Sequence, residues 1–252
     1  MTSLTVTISI NIRENQITQA TAAAVLRRRL YTAYCLLLFV ALATIALVLG
    51  LFLPNLRGRR LVAGALSRGF FRAAGIQLRI QGIDRLPRVP CVVVANHASY
   101  IDGIVAIAAL PPDFAFVIKK EMVRVPLASL LLRRLGSEFV ERFDRHKGAS
   151  DARRVWKRAA TGQSLVFFPE GTFDGTRQIG KFLGGAFATA ERSQMQIVAV
   201  AIHGTRDVLP TDSLLIRRKP IRFEILGVLD PQGARQRSRE LIAHAVGEPL
   251  AP

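Results

Sequence analysis

Three short runs constrain the fold most: Cys91–Ala95 (CVVVA), Ser164–Phe168 (SLVFF) and Ile197–Ile202 (IVAVAI) are apolar almost throughout, with no alternation of polar residues. A strand that reads this way is covered on both faces, as in a sheet between two helical layers. Further strand candidates are Leu78–Gly82, Phe114–Ile118, Glu138–Arg142 and Ile221–Leu226, with the apolar runs refined to Leu165–Phe168 and Ile197–Ile202. Helical stretches fall between and after them, at Asp102–Leu110, Pro126–Leu135, Asp151–Thr161, Gly185–Arg192 and Ala234–Ala245. Pro126 suits a first helical position, Gly136 a helix stop, and Ser150 an N-cap before Asp151. This alternation predicts an α/β domain with a mixed, largely parallel central sheet flanked by helices, over residues 78–252.

The first third of the chain obeys other rules. Residues 1–29 form a polar, Thr-rich tail closed by Arg27, Arg28 and Arg29. From Tyr31 to Leu53 there are 23 residues without a charge, ended by Pro54 and followed by Arg57, Arg59 and Arg60. At roughly 1.5 Å per residue this run is long enough to cross a bilayer core. A signal peptide fits poorly, because the run is long and no small-residue cleavage site follows it. Arginines on both flanks leave the orientation open, and a monotopic hairpin is equally compatible. Residues 57–74 read as a basic amphipathic helix, with Arg57, Arg60, Arg68 and Arg72 on one broad face and Val62, Leu66, Phe70 and Ala73 mostly on the other. Beside so apolar a run, an interfacial helix is favoured over an ordinary surface helix. Residues 30–77 are thus expected to form a membrane anchor, transmembrane or monotopic.

Net charge is +17, from 35 Lys plus Arg against 18 Asp plus Glu. That implies an anionic partner. Aromatics are only 7%, and no stacking platform or recognition motif for nucleic acid occurs, so nucleic acid is not expected. Two cysteines, Cys35 and Cys91, exclude a disulfide scaffold and a Cys-rich zinc domain. The four histidines, His97, His146, His203 and His244, have no ligand spacing, and no metal is expected; His203 beside Gly204 is read as packing or capping.

Open sheets build their sites at the carboxyl ends of strands. Strand 91–95 ends in Asn96-His97-Ala98-Ser99-Tyr100-Ile101-Asp102. A turn can return the Asp102 carboxylate to one imidazole nitrogen of His97 and leave the other as a base. The plainer alternative is a loop histidine with Asp102 as a helix cap. Strand 165–168 ends in Phe168-Pro169-Glu170-Gly171-Thr172, strand 138–142 in Glu141-Arg142, and strand 114–118 in Lys119-Lys120. Glu170 is expected in the crevice or solvated at a turn. Arg142 suits bidentate phosphate binding, and Lys119 closes its strand similarly; a solvated surface cation is the alternative for each. No nucleophile stands out: Cys91 belongs inside the sheet, and no Gly-x-Ser-x-Gly elbow occurs. A base without a protein nucleophile activates a substrate hydroxyl.

Asn96-His97-x4-Asp102 followed by Phe168-Pro169-Glu170-Gly171-Thr172 resembles the glycerolipid acyltransferase family, best known for lysophosphatidic acid acyltransferases. Gly136-Ser-Glu-Phe139-Val-Glu-Arg142 resembles its second block, and Val198–Thr205 its fourth; the likeness covers roughly residues 78–226. The resemblance implies that His97 deprotonates the acceptor hydroxyl, which attacks an acyl thioester, while Asp102 orients and charge-stabilises His97. It implies acceptor binding by Arg142, Glu170, Gly171 and Thr172, with Asn96, Ser99 and Lys119 as further contacts. Backbone N–H groups near Gly171 are expected to stabilise the oxyanion. No cofactor is implied beyond the co-substrate, acyl-CoA or acyl carrier protein. Partners would be anionic membrane lipids and a lysophospholipid, at the cytoplasmic face of the cell membrane.

Three departures bear on the acceptor. Relatives often carry a basic residue after Glu-Gly-Thr, where this chain has Phe173; a Lys pair after the next Phe is here Leu183-Gly184; and the usual Pro of the fourth block is Ala199. Arg177 and Lys181 are candidate replacements for the lost charge. A lyso-aminolipid is therefore the alternative acceptor, and a non-catalytic basic membrane-surface protein the third reading.

Overall fold

A computed structural model of the chain describes residues 2–141, 145–173 and 175–252; side-chain description begins at residue 23 in the first helix and at residue 150 in the fifth. In chain order the elements are α1 (Thr2–Phe52), α2 (Leu56–Ala73), β1 (Leu78–Gln81), β2 (Cys91–Ala95), α3 (Asp102–Ala109), β3 (Phe114–Lys119), α4 (Pro126–Arg134), β4 (Glu138–Val140), α5 (Arg145–Ala160), β5 (Ser164–Phe167), α6 (Gly185–Ser193), β6 (Gln196–His203), α7 (Thr205–Val208), β7 (Ile221–Leu229) and α8 (Ala234–Val246). All seven expected strands and all five expected domain helices are present. α1 is continuous across the expected boundary at residues 29–30.

The seven strands form one sheet in the order β1-β7-β6-β2-β5-β3-β4. β6, β2, β5, β3 and β4 are mutually parallel, whereas β7 is antiparallel to β6 and carries β1 parallel to itself. The apolar runs explain the centre: every residue of β2 is buried, flanked by β5 and β6. One face of the sheet packs Val93, Val200 and Phe223 against Phe70, Phe71 and Val105 of α2 and α3. The other packs Val92, Leu165 and Ile197 against Val155, Phe187 and Ile242 of α5, α6 and α8. The connections leaving β2 and β5 thus lie on opposite faces of two neighbouring strands. That divergence opens a crevice at their carboxyl ends.

Differences from expectation have local causes. β4 stops at Val140, because the Glu141 N–H turns away to donate to Asp151 Oδ2 at 2.8 Å. Asp151 serves there inside α5, which begins at Arg145, so Ser150 is not an N-cap. The short α7 follows Gly204, whose φ is 81° and where a Cβ would lie 2.3 Å from the Pro220 carbonyl oxygen.

The larger correction concerns α2. Arg60 is not on a lipid-facing surface but buried, donating to the carbonyls of Leu135 (2.9 Å) and Pro112 (3.2 Å) and to Gln163 Oε1 (3.4 Å). Leu135 ends α4, so the guanidinium satisfies a helix-terminal carbonyl that would otherwise lack a donor. Burial lowers the Arg60 pKa to about 10, which still leaves it charged near neutrality. Arg68 donates to Ala108 O at 2.9 Å, and Phe71, which fell among the arginines in the helical pattern, is buried beside Phe70. α2 is therefore a helix of the domain. α1 lies along it, burying a stripe through Thr32, Cys35, Ala46 and Gly50 while Leu37 stays 73% exposed.

Candidate active site

β2 delivers His97 to the carboxyl edge of the sheet, and the next five residues fold back as a turn closed by Asp102 N–H to Ser99 O at 3.2 Å. Asp102 Oδ2 receives His97 Nδ1 at 2.9 Å, the Ala98 N–H at 2.7 Å and the Ser99 N–H at 2.8 Å. The Asp102 side chain is 0% exposed, and its Oδ1 is buried without a partner among the described residues. Two backbone donors fix the carboxylate before the imidazole reaches it. Asp102 as an anion only accepts, so the Nδ1 proton lies between them and Nε2 presents its lone pair outward. His97 Nε2 has no partner among the described residues.

The ring itself is held by aromatic contacts. Phe168 stacks on it at 4.6 Å between centroids, and Phe173 meets it edge-on at 4.5 Å. Tyr100, exposed at the rim, meets Phe173 edge-on at 4.9 Å. These contacts brace the imidazole, whose side chain keeps 21% exposure.

Glu170 has a different place from the one expected. Its Oε1 accepts the His97 backbone N–H at 2.7 Å, and its Oε2 accepts the Gly180 N–H at 2.7 Å. Burial pushes its carboxyl pKa up, opposed by these two N–H donors and by His97. Both oxygens are thus engaged within the domain, and Glu170 joins the turn after β2 to the loop after β5. Asn96 and Ser99 are engaged within the domain in the same way. The Asn96 amide donates to Ile202 O at 2.9 Å and accepts the Ile202 N–H at 2.7 Å, while Ser99 Oγ donates to Leu209 O at 2.8 Å. These polar atoms hold the loops together. The Gly171 N–H, considered for the oxyanion, donates to Phe168 O at 3.0 Å. Its φ of 81° is left-handed, the conformation that glycine adopts without strain. Thr172 is exposed beside it.

Lys119 is exposed at the end of β3, two strands from β2, about 10 Å away at the usual strand spacing. Arg142 lies outside the described residues. Arg177 pairs with Asp207 at 3.1 Å, and Lys181 is exposed. His203, expected to pack or cap, is 3.2 Å from Glu224, and burial lowers its pKa. A cavity of about 610 Å³ lies elsewhere, along β4 and α5, lined by Arg133, Glu138, Asp151, Arg154 and Arg158. Its lining is cationic on balance, Lys120, Arg133, Arg154 and Arg158 against Glu138 and Asp151, with Arg154 paired to both carboxylates at 2.8 Å.

Sequence reasoning missed the latch behind the site. Arg239 of α8 donates to Gly180 O at 2.8 Å and to Ile179 O at 2.9 Å, and the Ala251 N–H donates to Ile179 O at 2.9 Å. The Gly180 peptide is therefore gripped from both sides, by Glu170 and by Arg239. One of three arginines in α8, Arg239 carries no local signal of this contact.

A family model described as Acyltransferase matches residues 77–203. The chloroplastic 1-acyl-sn-glycerol-3-phosphate acyltransferase of Brassica napus is 31% identical over 136 residues, which are 53% of this chain and 39% of that protein. The lyso-ornithine lipid O-acyltransferase of Pseudomonas aeruginosa is 34% identical over 142 residues, 55% of this chain and 52% of that one. The chain thus spans only about two fifths to one half of the length of these curated relatives. The crystal structure of the 1-acyl-sn-glycerophosphate acyltransferase PlsC from Thermotoga maritima has the same fold, with a TM-score of 0.74 at 19% identity over 88% of this chain and 95% of that one.

Proposed function

We propose that this chain, which belongs to the glycerolipid type of the Acyltransferase family, is a membrane-anchored O-acyltransferase. It moves a fatty acyl group from an acyl thioester, acyl-CoA or acyl carrier protein, to the hydroxyl of a lysophospholipid, with 1-acylglycerol-3-phosphate as the first choice. The observation that supports this reading is His97, oriented through Nδ1 by a buried Asp102 at 2.9 Å. Nε2 takes the acceptor's proton as its oxygen attacks the thioester carbon. The tetrahedral oxyanion then collapses with loss of the thiolate, which takes the proton from imidazolium. Asp102 stabilises the transient imidazolium, at a site where burial strengthens the interaction.

A second acceptor is favoured by one feature. Phe173 lies against the base where relatives often carry a cation, so the wall beside His97 is aromatic. A phosphate gains nothing from such a wall, whereas an aminolipid acceptor loses nothing. Likeness to a lyso-ornithine lipid O-acyltransferase points the same way.

The anchor is read as monotopic. At one end of the apolar run Tyr31 and Tyr34 donate to Ala74 O (2.8 Å) and Ala73 O (3.1 Å), and Thr32 Oγ1 accepts the Ile216 N–H (2.9 Å). At the other end Arg59 donates to Leu53 O at 2.8 Å. An apolar run whose two ends are held by one body lies in a single leaflet rather than across the bilayer.

The deciding experiment incubates the full chain with radiolabelled acyl-CoA and, in parallel, 1-acylglycerol-3-phosphate and lyso-ornithine lipid, and identifies the products. Acyl transfer to either, abolished in His97→Ala, is the expected result. Turnover of neither acceptor with either thioester refutes the reading.

A further inference from the structure

The catalytic reading leaves unused a shoulder of surface at the carboxyl end of β3. Lys119 and Lys120 are exposed there, a turn of 3-10 helix spans Lys120–Arg124, and α4 starts at Pro126. Val125, Leu127 and Leu130 are 49%, 65% and 43% exposed. Leu127 and Leu130 are three residues apart and share a face of α4. Inward, α4 buries only Ser129. Single exposed apolar residues need no explanation, but a ridge of three does.

Its neighbours indicate what covers it. α4 packs against α1, whose Leu36, Leu37 and Val40 are also exposed. Arg59 ties the two helices, donating to Leu53 O and, at 3.5 Å, to Arg134 O. The α4 ridge therefore continues the apolar surface of the anchor. Lys119, Lys120, Arg124 and Arg133, all exposed, form a cationic rim around it. An apolar ridge with a cationic rim matches an anionic bilayer surface, where leucines sink below the head groups and Lys or Arg stay level with the phosphates.

We propose that Val125, Leu127 and Leu130, with the rim of Lys119, Lys120 and Arg124, form a second membrane-docking element that enters the same leaflet as α1 and takes anionic phospholipid as its ligand. Lys119 is then a head-group contact of the bilayer rather than of the acceptor. Because this shoulder lies on the same sheet edge as His97, docking at α1 and α4 together fixes the edge that carries the base against the lipid. The proposal rests on the reading of α1 as a membrane anchor.

The test labels the full chain, in vesicles of phosphatidylcholine with and without phosphatidylglycerol, with an environment-sensitive nitrobenzoxadiazole at single introduced cysteines. The variants are Leu127→Cys and Leu130→Cys, with Leu37→Cys on α1 and Val89→Cys at the opposite sheet edge as references; native Cys35 and Cys91 are buried. Labels at 37, 127 and 130 are expected to shift to the blue and to be quenched by brominated lipid, while the label at 89 stays in water. Adding Lys119→Glu, Lys120→Glu and Arg124→Glu is expected to return the 127 label toward water in anionic vesicles. A label at 37 in lipid with those at 127 and 130 as wet as that at 89 overturns the docking element. A label at 37 in water overturns instead the anchor on which it rests. Emission at 127 that ignores both lipid charge and the three substitutions overturns the cationic rim.

Discussion

Glu170→Gln separates two jobs that a carboxylate in this crevice could do. In the structure each oxygen accepts one backbone N–H, from His97 and Gly180, at 2.7 Å. Glutamine keeps one acceptor and turns its NH₂ toward the other N–H, leaving that donor unpaired. Hydrogen bonds to a charged group contribute about 1.5–3 kcal/mol each, and the neutral amide recovers part of the burial cost of the carboxylate. A net loss of about 2 kcal/mol in stability follows. The chemical consequence is larger than this loss of one bond, because either loss loosens the Glu170 tie between Gly180 and the His97 N–H, which fixes the backbone carrying the base. Misplacing a reacting group by about 1 Å costs up to roughly 100-fold. The expected outcome is a fall in kcat of about 10- to 100-fold with little change in the acceptor KM. The assay is release of free thiol from acyl-CoA at varied lysolipid in detergent micelles, beside thermal inactivation of the same preparation. A kcat close to wild type with an acceptor KM raised tenfold would refute the reasoning, and would make Glu170 an acceptor ligand.

Three further outcomes follow from the same geometry. His97→Ala should lower transfer by roughly 10²–10⁴-fold with membrane binding intact, and Asp102→Asn should also be severe, since an amide cannot stabilise imidazolium; both are read from initial rates at saturating donor. Burial raises the Glu170 pKa, so between its unfolded and folded values the native state binds the extra proton. Wild-type stability against heat should therefore rise as pH falls through that window and be lost as pH climbs through it, a trend absent from Glu170→Gln, while acyl transfer declines on acidification. Gly204→Ala should cost at least about 1–2 kcal/mol, because the left-handed φ is strained for alanine and its Cβ would strike Pro220 O; a melting temperature equal to that of wild type would show that the turn relaxes.

Much of this was legible before any coordinates, for physical reasons that differ by residue. The strands were readable because β2 is buried on both faces, and only an unbroken apolar run can meet that demand. His97 and Asp102 were readable because their contact spans five residues, within the reach of one turn. Glu170, Asn96 and Ser99 are legible as residues at the carboxyl ends of strands, but their bonds to the rest of the fold are not. Their partners, at Gly180, Ile202 and Leu209, are backbone groups distant in sequence, and a backbone N–H or carbonyl leaves no mark on residue identity.

Arginine was the least legible residue type, and the reason bears on the charge of the whole chain. A helical wheel shows that Arg57, Arg60, Arg68 and Arg72 share a face, and it cannot tell lipid phosphate from a helix-terminal carbonyl as the acceptor. The structure sends Arg60 to Leu135 and Pro112, Arg68 to Ala108, and Arg235 and Arg239 to Phe182, Gly180 and Ile179. Backbone carbonyls accept without neutralising, so these cations bind the fold together and still count toward the net +17. The positive charge that pointed to an anionic partner therefore includes a set that ties helix ends and loops, besides exposed cations such as Lys119, Lys120 and Arg124 beside the apolar ridge of α4. Salt should accordingly weaken docking through that rim while leaving the fold, whose arginines are held by uncharged backbone carbonyls, almost unaffected.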